Sequence, residues 1–169
     1  LTPPRGVTVF VGENGKGKTN LLEAVHLCCL GRSHRTGNDR EMIRSGQETC
    51  AVQLRVQRSD GVDEVGVRLF MPEQKKRKVI YINGKTASRT GELMGHATCV
   101  MFSPEDLDII RGAPQERRRF LNMLLSQCGA GYYYALQTYN SALKQRNALL
   151  HSIVRGEAKP VTLDVWDEQ

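Results

Sequence analysis

Long apolar runs are missing from this sequence, aromatic residues are few, and the cysteines do not come in pairs. No stretch approaches the ~20 apolar residues that span a bilayer, and the N-terminus lacks a basic segment followed by an apolar one. Membrane-spanning and secretory readings are therefore excluded, and a cytoplasmic location is expected. The cysteines, Cys28, Cys29, Cys50, Cys99 and Cys128, are odd in number and form no C-x-x-C pair. That argues against a disulfide framework and a zinc ribbon, and fits a reducing compartment. The histidines His26, His34, His96 and His151 are scattered and no H-E-x-x-H occurs, which speaks against a metal centre built by the protein alone.

What is present is the balance of a globular chain: of 169 residues, 40% are hydrophobic and 25% charged, enough for one domain or part of a larger one. Lys and Arg number 24 against 18 Asp and Glu, a net charge of +6. This excess admits nucleic acid, anionic nucleotides or acidic membranes as partners without choosing among them. The chain begins at Leu1 and stops at Gln169 inside a polar segment, so it reads as a piece of a longer protein.

Val7-Thr8-Val9-Phe10-Val11 is a β-branched and aromatic run closed by Gly12, the pattern of a buried strand. Leu21, Leu22, Val25, Cys28 and Cys29 then recur at helical spacing from Lys18 to about Leu30, with Gly31 as the stop. Residues 32–48 read as a loop with one helical turn near Arg40–Ile43. Alternating runs at Ala51–Gln57, Glu64–Met71 and Lys78–Asn83 predict an antiparallel meander, with a tight turn at Asn83-Gly84. A short helix over Thr86–Met94 and a further strand at Ala97–Phe102 are expected. Ser103-Pro104-Glu105-Asp106 and Ala113-Pro114-Gln115-Glu116 both look like helix starts. The last long segment, about Gly131 to Val154, carries Tyr132, Leu136, Tyr139, Leu143, Arg146, Leu150 and Ile153 in a heptad stripe, which suits a coiled-coil arm or a core helix of a bundle.

Chemistry concentrates in Gly12-Glu13-Asn14-Gly15-Lys16-Gly17-Lys18-Thr19, which satisfies G-x-x-x-x-G-K-S/T, the P-loop. Its fixed positions coincide by chance in less than about one per cent of chains this long. The glycines Gly12, Gly15 and Gly17 allow successive backbone N–H groups to point into one concavity that cradles phosphate oxygens. Lys18 would reach the β- and γ-phosphates, and Thr19 would give its hydroxyl to Mg²⁺. The helix that begins there adds the positive end of its dipole. The motif predicts a nucleoside triphosphate with magnesium. A dinucleotide fingerprint is rejected, because G-x-G-x-x-G starting at Gly15 would need glycine where Asn20 stands.

Hydrolysis also needs a carboxylate at the end of a second apolar strand. Ala97–Phe102 runs into Ser103, Val79–Ile82 into Asn83, and Val161-Thr162-Leu163-Asp164 is short and broken by Thr162. No catalytic carboxylate can be assigned, and this chain alone is expected to be inactive as an ATPase.

Five blocks in order carry a resemblance: Gly12 through Ala24, then Gly31-Arg32-Ser33-His34-Arg35-Thr36, Phe102-Ser103-Pro104-Glu105-Asp106-Leu107, Arg117-Arg118-Arg119-Phe120-Leu121 and Gln145-Arg146-Asn147. Together they resemble the RecF family of bacterial DNA replication and repair proteins. The resemblance implies an α/β fold: an ABC-type P-loop ATPase lobe, related to the SMC ATPases, whose mixed sheet includes an antiparallel β-meander. Part of a helical lobe would follow. The expected division is an ATP-binding lobe at 1–103 and a partial helical lobe at 104–169. It further implies an ATP-dependent homodimer that binds gapped, single-stranded or double-stranded DNA in recombinational repair and SOS induction. RecO- and RecR-type mediators would be its partners, with slow, DNA-stimulated ATP turnover by the complete dimer. The family's signature motif and Walker B acids lie downstream and are missing here, as is its first strand. A Q-loop glutamine is not found between Ala97 and Asp106.

Arg35 follows the P-loop helix and suits either a phosphate or partner contact or an ordinary salt bridge. Two basic clusters are candidate DNA contacts: Lys75-Lys76-Arg77-Lys78, otherwise a solvated hairpin tip, and Arg111 with Arg117-Arg118-Arg119. Consecutive arginines on a helix project about 100° apart, so some would pair with acids such as Asp106 or Asp108. Without interleaved aromatics, DNA contact would fall on phosphates and be salt-dependent. An SMC-like head fragment, acting as a nucleotide-gated coiled-coil module, is the alternative reading.

Overall fold

The computed structural model describes residues 1–71, 77–159 and 163–167. The chain forms two compact units, Leu1–Phe102 and Ser103–Gln169.

In the first unit, helix α1 (Lys18–Leu30) lies against an antiparallel sheet of β1 (Thr49–Gln57), β2 (Val62–Phe70), β3 (Lys78–Ile82) and β4 (Lys85–Ala87), paired in that order. The three long strands coincide with the three alternating runs; β4 was too short to show as a pattern. Register brings Val52 opposite Val67, Val67 opposite Ile80 and Ile80 opposite Ala87, so one apolar row crosses the sheet. Val65, Val67, Leu69 and Ile80 are buried there with Leu27, Cys28 and Leu93. Asn83 and Gly84 both have positive φ, 49° and 79°, as a type I′ hairpin turn requires.

Helix α1 stops at Gly31, whose φ of 69° is left-handed and whose N–H bonds to the Leu27 carbonyl. A Cβ there would sit 2.7 Å from Thr90 Cγ2, so glycine is required both by backbone conformation and by space. The expected helix over Thr86–Met94 is a 3-10 turn at Thr90–Leu93, and the turn near Arg40 spans Asp39–Met42. Lys78 of β3 ties these parts together, donating to the Gly31 carbonyl and to Asp39.

Two expected strands are not formed. Val7–Val11 and Ala97–Phe102 pair with nothing, and Val7, Val11, Val100 and Phe102 are 90%, 90%, 83% and 78% exposed. Their composition favours strand, but a strand exists only where a neighbour supplies the other half of each hydrogen bond. Each strand of the meander pairs only with its sequence neighbours, and neither segment is laid along an edge of that sheet.

In the second unit, Ser103 opens a 3-10 turn at Pro104–Leu107, its N–H donating to Asp106 Oδ2 at 2.6 Å. The short α2 (Asp108–Arg111) follows. Helix α3 (Pro114–Gln127) starts with Ala113 as N-cap and Pro at N1, and packs on α4 (Ala130–Val154) as a hairpin. Tyr132 Oη donates to Asn122 Oδ1 across it at 2.7 Å. No residue of α4 is fully buried, and Tyr139 of the heptad stripe is 62% exposed. Gly156, in a left-handed conformation, follows the helix end; a final short helix, α5, spans Asp164–Asp167.

Candidate nucleotide-binding site

The loop Gly12–Thr19 leads into the first turn of α1. Gly15 and Gly17 have φ of 78° and 90°, conformations that the chain adopts readily only at glycine; Gly12, at 159°, is close to extended. Gly17 is the N-cap of α1, with no side chain bonded to the cap and no acid in the first turn. The N–H groups at this helix end thus remain for an anion, and the dipole favours one there. A Cβ placed on Gly12, Gly15 or Gly17 would meet nothing within 4 Å. The concavity is open, and these glycines serve backbone shape and not close packing.

Lys18 turns back over this concavity. Its Nζ donates to the Gly12 carbonyl at 2.6 Å and the Glu13 carbonyl at 2.7 Å, which places a positive charge on the loop that precedes α1. Lys16 instead points at Glu13, 3.6 Å away, with both side chains exposed, so this pair adds little. Thr19 is exposed at the helix start, and Asn14 lies exposed on the loop. Ammonium, free first-turn amides and a neighbouring hydroxyl suit a polyphosphate with Mg²⁺ on Thr19. Among the described residues, no group of three or more His, Cys, Asp or Glu gathers to hold a metal ion.

Behind the loop, sequence reasoning missed a polar core. Glu23 of α1 is 2% exposed. Its carboxylate accepts from the buried Ser33 hydroxyl and from Arg35 Nη2 at 3.2 Å. Ser33 Oγ also accepts from the N–H groups of Arg35 and Thr36. The block Gly31 through Thr36 is therefore pinned to the P-loop helix by one buried carboxylate, and Arg35 is a salt-bridge partner in this structure. The signal was available: Glu23, Leu27 and Leu30 share one helical face, and a charge on a buried face calls for a partner. His26, also 2% exposed, shares a hydrogen bond between Nδ1 and the Arg32 carbonyl at 3.0 Å. Burial holds its pKa below the ordinary histidine value. The expected apolar stripe of α1 is correspondingly shifted: Leu22 is 49% exposed, while the buried residues are Glu23 and the run from His26 to Leu30.

Some members of the basic clusters are engaged within the fold, while Arg77, Arg111 and Arg118 lie exposed. Lys75 and Lys76 lie outside the described residues, and Lys78 is tied to Gly31 and Asp39 as above. Arg117 Nη1 donates to the carbonyls of Ile109 and Gly112, both at 3.4 Å, and Arg119 pairs with Glu116 at 3.9 Å. The expected pairing with Asp106 or Asp108 is not seen for these arginines, because Asp106 is taken by Ser103.

Comparison with known proteins adds the family. A family model described as an AAA domain matches residues 1–149. The chain belongs to this AAA-domain family. Its resemblance to RecF is borne out as well. It is 43% identical over 159 residues to the DNA replication and repair protein RecF of Ruminiclostridium cellulolyticum, covering 94% of this chain and 42% of that protein. The RecF of Halothermothrix orenii is 44% identical over 164 residues, covering 96% and 43%. Among solved structures, the recombination mediator protein RecF with ATP, in the RecFOR pathway, matches with a TM-score of 0.82 at 35% identity, over 92% of this chain and 41% of that one. The RecF–ATPrS structure matches at 0.85, also at 35% identity, over 93% and 42%. The chain thus spans less than half the length of the relatives it matches. This AAA-domain chain carries a mixed α/β fold with an antiparallel sheet, and the RecF structures match it over more than nine-tenths of its length. No helix among the described residues is long and apolar enough to cross a membrane.

Proposed function

We propose that this chain is the P-loop portion of an ATP-binding DNA replication and repair protein of RecF type. The observation that carries the reading is Lys18, its ammonium held on the Gly12 and Glu13 carbonyls of the loop, next to a helix start that no side chain caps. The site residues are Gly12, Glu13, Asn14, Gly15, Lys16, Gly17, Lys18 and Thr19, with Lys18 facing the β- and γ-phosphates and the Thr19 hydroxyl holding Mg²⁺. Bound Mg²⁺ would neutralise phosphate charge. The chain's own contribution is to orient the polyphosphate along the helix dipole and to hold it with charge-assisted hydrogen bonds. Support comes from the solved structures of RecF with ATP and with ATPrS.

In the complete protein this site works in an ATP-dependent homodimer that contacts DNA through phosphates and acts with RecO- and RecR-type mediators in the cytoplasm. Support for the mediators is the RecFOR pathway named for the structural relatives. The division into an ATP-binding lobe at 1–103 and part of a helical lobe at 104–169 belongs to the same reading. The chain alone binds ATP without turning it over, because no apolar strand among the described residues ends in a carboxylate that would complete the site. The decisive test is ATP turnover by the purified chain beside a Lys18→Ala control. Turnover at the level of the control is expected, and turnover that requires Lys18 would overturn the inactive-fragment reading.

A further inference from the structure

The net charge is confined to one unit. Leu1–Phe102 holds 16 Lys and Arg against 10 Asp and Glu, and Ser103–Gln169 holds eight of each, so 16 − 10 accounts for the whole +6. Part of it gathers on one face of the meander. Side chains alternate along a strand, and Val65, Val67, Leu69 and Ile80 are buried in the core. Glu64, Gly66, Arg68 and Tyr81 therefore lie on the opposite, outer face. Register sets Arg68 opposite Val79 and Gly66 opposite Tyr81, so Tyr81 is diagonal to Arg68. The Phe70 N–H bonds to the Arg77 carbonyl at 3.0 Å, which carries the ladder one step beyond β3. Lys78 turns inward to Gly31 and Asp39, so Arg77 turns outward, diagonal to Arg68 at about 7–8 Å. Both arginines are exposed, and among the described residues neither meets an acid. Glu64, the one acid of this strand face, is taken by Arg55 at 3.2 Å and by Gln53. Beside Arg68, Gly66 leaves a gap: a Cβ there would lie 3.7 Å from Tyr81 Cβ and 3.9 Å from Tyr81 Cδ2. The partly exposed Tyr81 ring borders that gap. Arginines and an aromatic, far apart in the linear sequence, are thus interleaved by the sheet.

We propose that this outer sheet face binds a single nucleic-acid strand, with Arg68 and Arg77 on phosphates and Tyr81 against a base. The inference deepens the DNA contact proposed above and rests on that reading for the choice of polymer. Two guanidiniums with no competing carboxylate attract a polyanion. A ring beside a position without a side chain leaves room for a flat apolar partner, and every base presents one. A single strand can turn its bases toward such a face, whereas a duplex keeps them stacked inside and offers only phosphates. Glu64 with Arg55 closes the far end of the face as a neutral pair, so the strand is held at the end where Arg68 and Arg77 stand.

Fluorescence anisotropy of a labelled oligo(dT) of about 15 nucleotides, titrated with the full chain over a range of salt, tests this. Saturable binding that weakens as salt rises is expected, with a duplex of the same length bound less tightly. Arg68→Ala with Arg77→Ala should flatten the slope of log affinity against log salt by about 1.4, two single-strand phosphate contacts at about 0.7 each. Tyr81→Leu should weaken oligo(dT) by about 5- to 150-fold with the slope unchanged, while Tyr81→Phe, which keeps the ring, should bind like the unsubstituted chain. The proposal is overturned if the chain does not bind oligo(dT), if the duplex binds more tightly, or if the paired Arg68 and Arg77 substitution leaves the slope unchanged. It is overturned too if Arg111→Ala with Arg118→Ala, on the other unit, flattens the slope instead. The last three outcomes would leave the DNA contact of the proposed function standing and remove only this face or this mode. Both arginines are exposed, so the slope measurement does not hang on Tyr81→Leu folding, and Mg-ATP affinity is a separate reading of the P-loop.

Discussion

Glu23 illustrates how one side chain can organise a loop. Its carboxylate is 2% exposed and receives Ser33 and Arg35, and such a group stabilises only while its partners remain. Glu23→Ala frees the buried Ser33 hydroxyl while Arg35, 56% exposed at its side chain, returns to water. We expect a loss of about 1–3 kcal/mol, measured as a lower urea midpoint at unchanged slope. His26 acts through pH. Its pKa is lowered in the fold, mainly by burial, so the unfolded chain binds this proton more tightly. The stability it contributes is present above the ordinary value near 6.5 and is lost as pH falls through the folded value. The slope is at most about 1.4 kcal/mol per pH unit. Urea titrations of the unsubstituted chain and His26→Gln between pH 7 and 5 should therefore converge as pH falls; parallel curves would remove His26 as the cause.

At the scale of elements, α1 is defined by its ends. Gly17 and Gly31 are both left-handed, and both boundaries were legible because caps are local chemistry. The meander was legible for a similar reason: alternation such as Val65, Val67 and Leu69 repeats within one strand. Val7–Val11 and Ala97–Phe102 were misread because a strand is a relation between two segments, and neither segment encodes its neighbour. The Glu23–Ser33–Arg35 cluster was hidden because its members stand 10 and 12 residues apart across a turn that no periodicity describes. The Lys18 site was legible almost entirely, since loop, ammonium and helix start are contiguous. Gly31→Ala tests the end of α1. Left-handed strain and the 2.7 Å approach to Thr90 Cγ2 should together cost about 2 kcal/mol or more. Adding Thr90→Ser, which deletes that methyl, should recover the contact part and leave the strain. A fully additive double variant in thermal unfolding would contradict this coupling.

Over the whole molecule, apolar side chains outnumber the places the fold offers them. Val7, Val9, Val11, Val100 and Phe102 are exposed in the first unit, and Leu121, Tyr139 and Leu143 in the second. Exposed apolar surface of this kind drives association, so sedimentation should show weight growing with concentration. Val9→Thr with Val100→Thr should reduce that association without shifting the unfolding midpoint by more than about 1 kcal/mol. The positive charge, by contrast, is dispersed: Lys78 and Arg117 serve carbonyls and acids of the fold, and Lys18 serves the loop. The proposed phosphate site is built around one ammonium, that of Lys18. Calorimetric titration of Mg-ATP into the unsubstituted chain and into Lys18→Ala tests it most directly. Saturable binding is expected, weakened by about 10- to 100-fold in Lys18→Ala at unchanged fold by circular dichroism. Equal affinity in the two chains would contradict it.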